Sequence, residues 1–219
     1  MRKSDLYKQV INYFSEAMPV AETELHYGTP FQLLVAVVLS AQCTDKRVNM
    51  VTPALFAAFP DAAHMAEASE DQIFDYIHSV SYPNSKSRHL AALARMLRDE
   101  YGGVVPSDID ALQRLPGVGR KTANVVAAVV FDQPAMPVDT HVFRVANRIG
   151  LTTDSKTPLA TERELVKYIP SELLSKAHHW LILHGRYVCQ ARKPHCTECG
   201  LTELCLWYQK SASKKNAPC

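Results

Sequence analysis

Residues 115–123, Leu-Pro-Gly-Val-Gly-Arg-Lys-Thr-Ala, combine the parts of an anion cradle with an amine that could act as a nucleophile. Gly117 and Gly119 carry no Cβ, so the backbone between them can turn sharply and present bare amides at a surface. A helix starting near Arg120 would add its first-turn N–H groups and positive dipole end, a combination that holds phosphate. Lys121 falls in that first turn, where the dipole disfavours an ammonium and makes the neutral, nucleophilic amine easier to reach. The spacing fits equally a plain turn between two helices whose glycines only allow close packing. A P-loop is excluded because its glycine spacing is missing, and a dinucleotide fingerprint because no strand precedes the glycines.

Two further groups could carry chemistry. In Val138-Asp139-Thr140-His141 the aspartate follows Pro137 and is placed to cap a helix through its first free N–H groups. The same carboxylate could accept a proton from an amine or stabilise a developing cation, and a capping role does not prevent this. Four of the six cysteines crowd together as Cys189-x6-Cys196-x2-Cys199-x5-Cys205. Thiols at this spacing suit a metal in a reducing compartment better than a disulfide framework, and both an iron–sulfur cluster and zinc fit. Arg186, Arg192, Lys193 and His195 lie in or beside this loop and form a local basic patch suited to phosphate.

The elements that must position these groups are helical. Leu6, Val10, Tyr13 and Phe14 share one face of a first helix that ends near Pro19. Phe31–Ser40 is apolar all round, as in a helix buried within a domain. The pattern predicts further helices over 45–59, 71–78, 86–101, 107–114 (with Ser107 as its cap), 120–131, 139–149, 158–169 and 173–189. Alternation of period two is absent, so the chain reads as all-α. The prolines at 134–137 mark the likeliest domain crossing, which gives two helical lobes with a cleft between them. The end of the chain, 210–219, is polar and reads as a tail, with Cys219 a free thiol and Cys43 a small buried residue.

Bulk composition narrows the classes. A chain of 219 residues, 47% hydrophobic and 21% charged, can bury a real core in one or two soluble domains. The longest apolar runs, 31–39 and 125–131, fall far short of the roughly 20 residues that span a bilayer. No apolar signal core follows Met1, so the chain reads as cytosolic, or nucleoid-associated in a bacterium. With a net charge of only +2, any nucleic-acid footprint must be local.

Taken together, Ser40-Ala-Gln-Cys-Thr-Asp45, Leu115–Ala123, Val138–His141, His179-Trp-Leu-Ile-Leu-His-Gly-Arg-Tyr187 and the four-cysteine loop resemble the endonuclease III family of helix-hairpin-helix DNA glycosylases. The resemblance runs from about Pro30 to Cys205. It implies a six-helix barrel domain over 22–134 with the helix-hairpin-helix, and a cluster domain built from 1–21 and 135–219. It implies a monomeric base-excision-repair enzyme that removes oxidised pyrimidines from double-stranded DNA and cleaves the abasic strand by β-elimination. By motif position Lys121 is the nucleophile, Asp139 its carboxylate partner, and Cys189, Cys196, Cys199 and Cys205 the ligands of a 4Fe–4S cluster. Gly117, Val118, Gly119 and Arg120 of the hairpin, with Lys193, would hold DNA.

Gln42 matches the residue that fills the gap left by the flipped nucleotide, although a polar helix-end residue explains it too. Asp45 would line the pocket or cap the helix that begins there. The match weakens over 80–86: Ser81 stands where the family usually has glycine and Pro83 where it has an aromatic, which leaves Tyr82 as the wedge. Adenine-mismatch glycosylases of the same superfamily typically carry serine at the position of Lys121 and an added C-terminal domain. A non-catalytic DNA-binding module is the alternative outside the enzymes.

Overall fold

The structure, a computed structural model, describes residues 1–213. Among these, helices α1 (Lys3–Ala17), α2 (Pro30–Leu39), α3 (Asp45–Ala58), α4 (Ala62–Glu67), α5 (Glu70–Ile77) and α6 (Pro83–Tyr101) form the first half of the chain. They are followed by α7 (Ile109–Arg114), α8 (Arg120–Val130), α9 (Thr140–Ile149), α10 (Pro158–Tyr168), α11 (Leu174–Tyr187) and α12 (Leu206–Ser213), and no strand occurs among the described residues. No helix there is long and apolar enough to cross a membrane.

Most of these helices start where a short polar side chain can accept a first-turn N–H. Thr29 accepts from Gln32 ahead of Pro30, Thr44 from Arg47, Asp61 from His64 and Thr157 from Ala160. Ser69 and Gln72 cap α5 reciprocally. Each such cap is worth about 1 kcal/mol and fixes where the chain enters the helix.

The chain divides into two compact units. One comprises Glu24–Gln133. Its centre is α2, whose Phe31 and every residue from Leu33 to Leu39 are buried, packed on α8 with its buried Ala123–Ala128 run. Helices α4 and α5 pack on α6, α3 on α5, and α7 on α8. The other unit joins Met1–Thr23 to Pro134–Cys219. There α9 packs on α11, α10 and α12. The N-terminal helix is secured to this unit by Phe14, stacked on Trp180 at 5.9 Å and edge-on to His184 at 5.4 Å. Trp180 Nε1 donates to the Met18 carbonyl at 2.8 Å, and the Tyr7 hydroxyl donates to the Leu151 carbonyl at 2.8 Å.

Several local expectations are corrected. The periodicity predicts six helices between 24 and 133; the structure adds α4, six residues too short to show a clear period. Helix α6 starts at Pro83 rather than Lys86, because proline at the first helical position lacks only an N–H that would have no helical partner. Asp108, not Ser107, caps α7, accepting from Ala111 N at 2.8 Å. Thr44 rather than Asp45 caps α3, which leaves Asp45 as a half-buried first-turn residue. Helix α11 ends at Tyr187, so Cys189 lies beyond it. The expected tail over 210–219 begins inside α12, and Cys219 lies outside the described residues.

Replacing Phe14 with alanine removes the ring between α1 and α11. We expect a loss of about 3–5 kcal/mol in urea unfolding with an unaltered denaturant slope, since a large buried aromatic is deleted without changing the exposed state.

Candidate active site and cysteine pocket

The hairpin is α7, a turn over 115–119, and α8. Leu115 and Val118 are both buried, and the Val118 N–H donates to the Leu115 carbonyl at 3.1 Å. Val118 therefore holds the turn from inside, and its amide is not directed to a ligand; contact with an anion falls to its neighbours. The two glycines differ in role. Gly117 has φ +79, a left-handed conformation that side chains resist, and a Cβ there would lie 3.0 Å from the Cβ of His89 on α6. Gly119 has an ordinary extended backbone (φ −89, ψ 175), and a Cβ on it would point into open space. Nothing within the protein demands glycine at 119.

Gly119 is the N-cap of α8 and, having no side chain, offers its first turn no capping oxygen; no acidic residue stands in that turn. The helix thus starts without a side-chain cap, where seven of its counterparts among the described residues start on a capping Thr, Ser or Asp. Arg120 is exposed and Lys121 half-buried in this turn.

The same unit presents two exposed residues on unusual backbone. Gln42, two residues beyond the Ser40 cap of α2, has φ +53, and Tyr82, the N-cap of α6, has φ +56 and is 65% exposed. A left-handed conformation at a residue with a side chain costs of order 1 kcal/mol, so the surrounding structure must impose it. Pro83 thereby belongs to the device. By fixing the first turn of α6 it sets Tyr82 at the helix tip.

In the other unit Asp139 caps α9. Its Oδ1 accepts from the N–H groups of His141 and Val142, both at 2.8 Å, which leaves Oδ2 outside the cap. Two arginines on the same helix, which the sequence reading did not single out, fasten it to the cysteine loop. Arg144 donates to the carbonyls of Gly185 (2.8 Å) and Cys189 (3.2 Å). Burial lowers its pKa, an effect that the Cys189 thiolate opposes. Arg148 donates to the carbonyls of Gln190 (2.7 Å) and Ala191 (2.9 Å), lies 3.4 Å from Cys189 Sγ and stacks on Trp207 at 4.7 Å. The signal was available: Arg144 and Arg148 stand four residues apart, on one face of the helix.

Cys189, Cys196, Cys199 and Cys205 line one pocket, with Ile149, Leu201 and Trp207 among its apolar walls, and all four are free thiols. Burial pushes the Cys199 and Cys205 thiols up, and the neighbouring cysteines push further in the same direction. Four sulfurs so placed ionise together only against a strong positive charge, which is what a metal centre supplies. Among the described residues no three His, Cys, Asp or Glu side chains are drawn in as a single metal ion requires. Four thiolates can hold either an iron–sulfur cluster or a zinc ion. His184, against Cys199 Sγ at 3.7 Å, is held near pKa 4 by burial and is a neutral wall of this pocket. Of the basic patch, Arg192 and Lys193 are exposed, while His195 lies 3.7 Å from Glu198.

Comparison with known proteins agrees over nearly the full length. The profile of the HhH-GPD superfamily base excision DNA repair proteins matches residues 35–171. Endonuclease III of Rickettsia conorii is 48% identical over 206 residues, covering 94% of this chain and 98% of that protein. Endonuclease III of Escherichia coli is 43% identical over 202 residues, 92% of this chain and 95% of that protein. Among solved structures, a trapped endonuclease III–DNA covalent intermediate superposes with a TM-score of 0.91 at 42% identity, covering 96% of this chain and 99% of that one. A non-covalent endonuclease III–DNA complex gives a TM-score of 0.92 at 41% identity, with 97% and 100% covered.

The two hairpin glycines separate fold from binding. Gly117→Ala meets the left-handed backbone and His89, so it lowers stability by about 1 kcal/mol or more, read as a melting-temperature drop. Gly119→Ala leaves the melting temperature in place and weakens binding to duplex DNA of any sequence, measured by fluorescence anisotropy at fixed salt.

Proposed function

This chain belongs to the endonuclease III family within the HhH-GPD superfamily of base excision DNA repair proteins, and on that premise we propose that Lys121 is its nucleophile and Asp139 the carboxylate that serves it. It is a base-excision-repair DNA glycosylase and abasic-site lyase. The observation that carries the residue assignment is the placement of Lys121 in the first turn of α8, directly after the open backbone at Gly119. A phosphate held on that turn brings a DNA strand to the amine.

We infer an oxidised pyrimidine in double-stranded DNA as the substrate, handled by a monomer. A base stacked in the duplex cannot present C1′ to a lysine, so the nucleotide is flipped out at a cost of a few kcal/mol, lowered for a damaged base that stacks poorly. Gly117, Gly119, Arg120 and Lys193 grip the backbone without reading sequence, which suits damage that occurs anywhere. Gln42 and Tyr82 enter the vacated stack, and Asp45 borders the flipped base. The amine of Lys121 attacks C1′; the C1′–N bond breaks, its electron pair leaving with the base, which takes up a proton. Opening of the sugar leaves an iminium between Lys121 and C1′. The iminium acidifies the C2′ hydrogen, and loss of that proton expels the 3′ phosphate. Asp139 stabilises cationic character at the sugar and takes the amine's proton.

Cys189, Cys196, Cys199 and Cys205 would hold a 4Fe–4S cluster. Its contribution is structural: it cross-links the loop that carries Lys193, and neither bond cleavage transfers an electron to or from the protein. Free thiols also support a reducing, cytoplasmic setting close to the DNA.

Borohydride added during incubation with duplex DNA containing thymine glycol or an abasic site captures the iminium as a covalent adduct. Lys121→Gln abolishes the adduct, and Asp139→Asn lowers its rate by about 100-fold or more with little change in DNA affinity. An adduct that survives Lys121→Gln reassigns the nucleophile; tight binding with neither adduct nor nick leaves a DNA-binding module. Separately, protein purified without oxygen contains iron and inorganic sulfide, and Cys196→Ser lowers both together. Zinc without sulfide would place a different metal on these thiolates.

A further inference from the structure

We propose that Lys86 is a positioning residue that locks Gln42 and Tyr82 into one rigid probe of the DNA stack, so that both enter the gap opposite the flipped nucleotide together. The inference rests on the roles proposed above for Gln42 and Tyr82.

Lys86 is 5% exposed, and its Nζ donates to the Leu39 carbonyl at 2.7 Å and the Ala41 carbonyl at 2.8 Å. These are carbonyls at the end of α2 and in the turn after it, the last before Gln42. Other bonds also hold this turn: Ser40 N donates to the Ala36 carbonyl and Ser40 Oγ to the Val37 carbonyl, both at 2.9 Å, Cys43 N to the Ser40 carbonyl at 3.0 Å, and Ala41 N reaches the Val38 carbonyl at 3.4 Å. The backbone of the same lysine donates to the Tyr82 carbonyl at 3.1 Å, which fixes the cap of α6. One residue therefore holds the carbonyl immediately before Gln42 and the carbonyl of Tyr82 itself. Both held residues are exposed and both have left-handed backbone, φ +53 and +56.

Burial pushes the Lys86 pKa down, an effect that the nearby Cys43 sulfur opposes, so keeping an ammonium here is unfavourable unless its bonds compensate. An apolar side chain of the same length would pack on α2 with less desolvation. The two carbonyls explain the lysine: a helix C-terminus and the turn beyond it carry concentrated negative partial charge, which a cation satisfies better than a neutral donor. Tyr82, Lys86 and His89 lie on one face of α6, and His89 abuts Gly117 of the hairpin. Helix α6 is thus the common ruler for the probe and the phosphate grip within this unit.

The test compares two abasic substrates for borohydride capture. In a fully paired duplex the flipped site leaves a gap to be filled; in a duplex carrying the abasic nucleotide as an unpaired bulge it leaves none. Lys86→Met lowers the capture rate on the paired duplex relative to the bulge by about tenfold or more, because a loosened probe misplaces groups by an ångström or so. Lys86→Arg, which retains cationic donors, restores most of that ratio. Combined with Gln42→Ala, Lys86→Met adds less than its single effect on the paired duplex, since both act through one contact. If Lys86→Met does not fold, the ratio is read on Lys86→Gln. An unchanged ratio, or equal losses on both substrates in step with the melting temperature, assigns Lys86 to stability alone and overturns the proposal. Absence of capture by the unaltered protein on either substrate would instead remove the lyase reading itself.

Discussion

A chain built from helices leaves its unpaired backbone donors and acceptors at helix ends, and each of those ends must find a partner or face water. This constraint organises the protein. Most N-termini are closed by Thr, Ser or Asp side chains, and three helix ends bear on the proposed chemistry. Helix α8 starts on Gly119 without a side-chain cap, so its first turn can serve a phosphate. Helix α9 starts on Asp139, whose carboxylate is held rigid by two amides through one oxygen while the other stays outside the cap. Helix α2 ends on carbonyls claimed by the ammonium of Lys86.

The same logic extends to the cysteine loop, which has almost no secondary structure of its own beyond the short turn at Cys196–Glu198. Its carbonyls at 189, 190 and 191 are satisfied by Arg144 and Arg148 of α9, and its pocket is walled by apolar side chains and by His184. The loop is therefore fastened to the helix that Asp139 caps. A cluster bound by the four thiolates would stiffen the loop bearing Lys193 and, through the two arginines, the start of α9. That link gives a metal with no part in bond cleavage a reason to be present in a DNA glycosylase.

Gln42 and Tyr82, both proposed to contact DNA, have left-handed backbone, as do Asp132 and Asp154 elsewhere, and Lys86 holds the carbonyl before Gln42 and that of Tyr82. Rigid, exposed side chains enter a duplex stack at a smaller entropic penalty than mobile ones. Such an arrangement suits an enzyme whose selectivity comes from how readily a damaged nucleotide leaves the stack.

Much of this was legible in the residues themselves. Apolar periodicity located α1, α2 and α8, and Asp139 was legible as the cap of α9, whereas the caps of α3 and α7 lay one residue away from those expected. Those signals are local, set by 3.6-residue periodicity and capping, so a linear chain displays them. Other features had no local signature. That Gly117 turns against His89 and that Val118 faces inward depend on what lies across the fold. The roles of Lys86, Arg144 and Arg148 depend on carbonyls 41 to 47 residues away in sequence. Sequence determined the helices and the reactive groups; which backbone ends those groups meet was decided only by tertiary packing, because a hydrogen bond between distant segments leaves no periodic trace in either one.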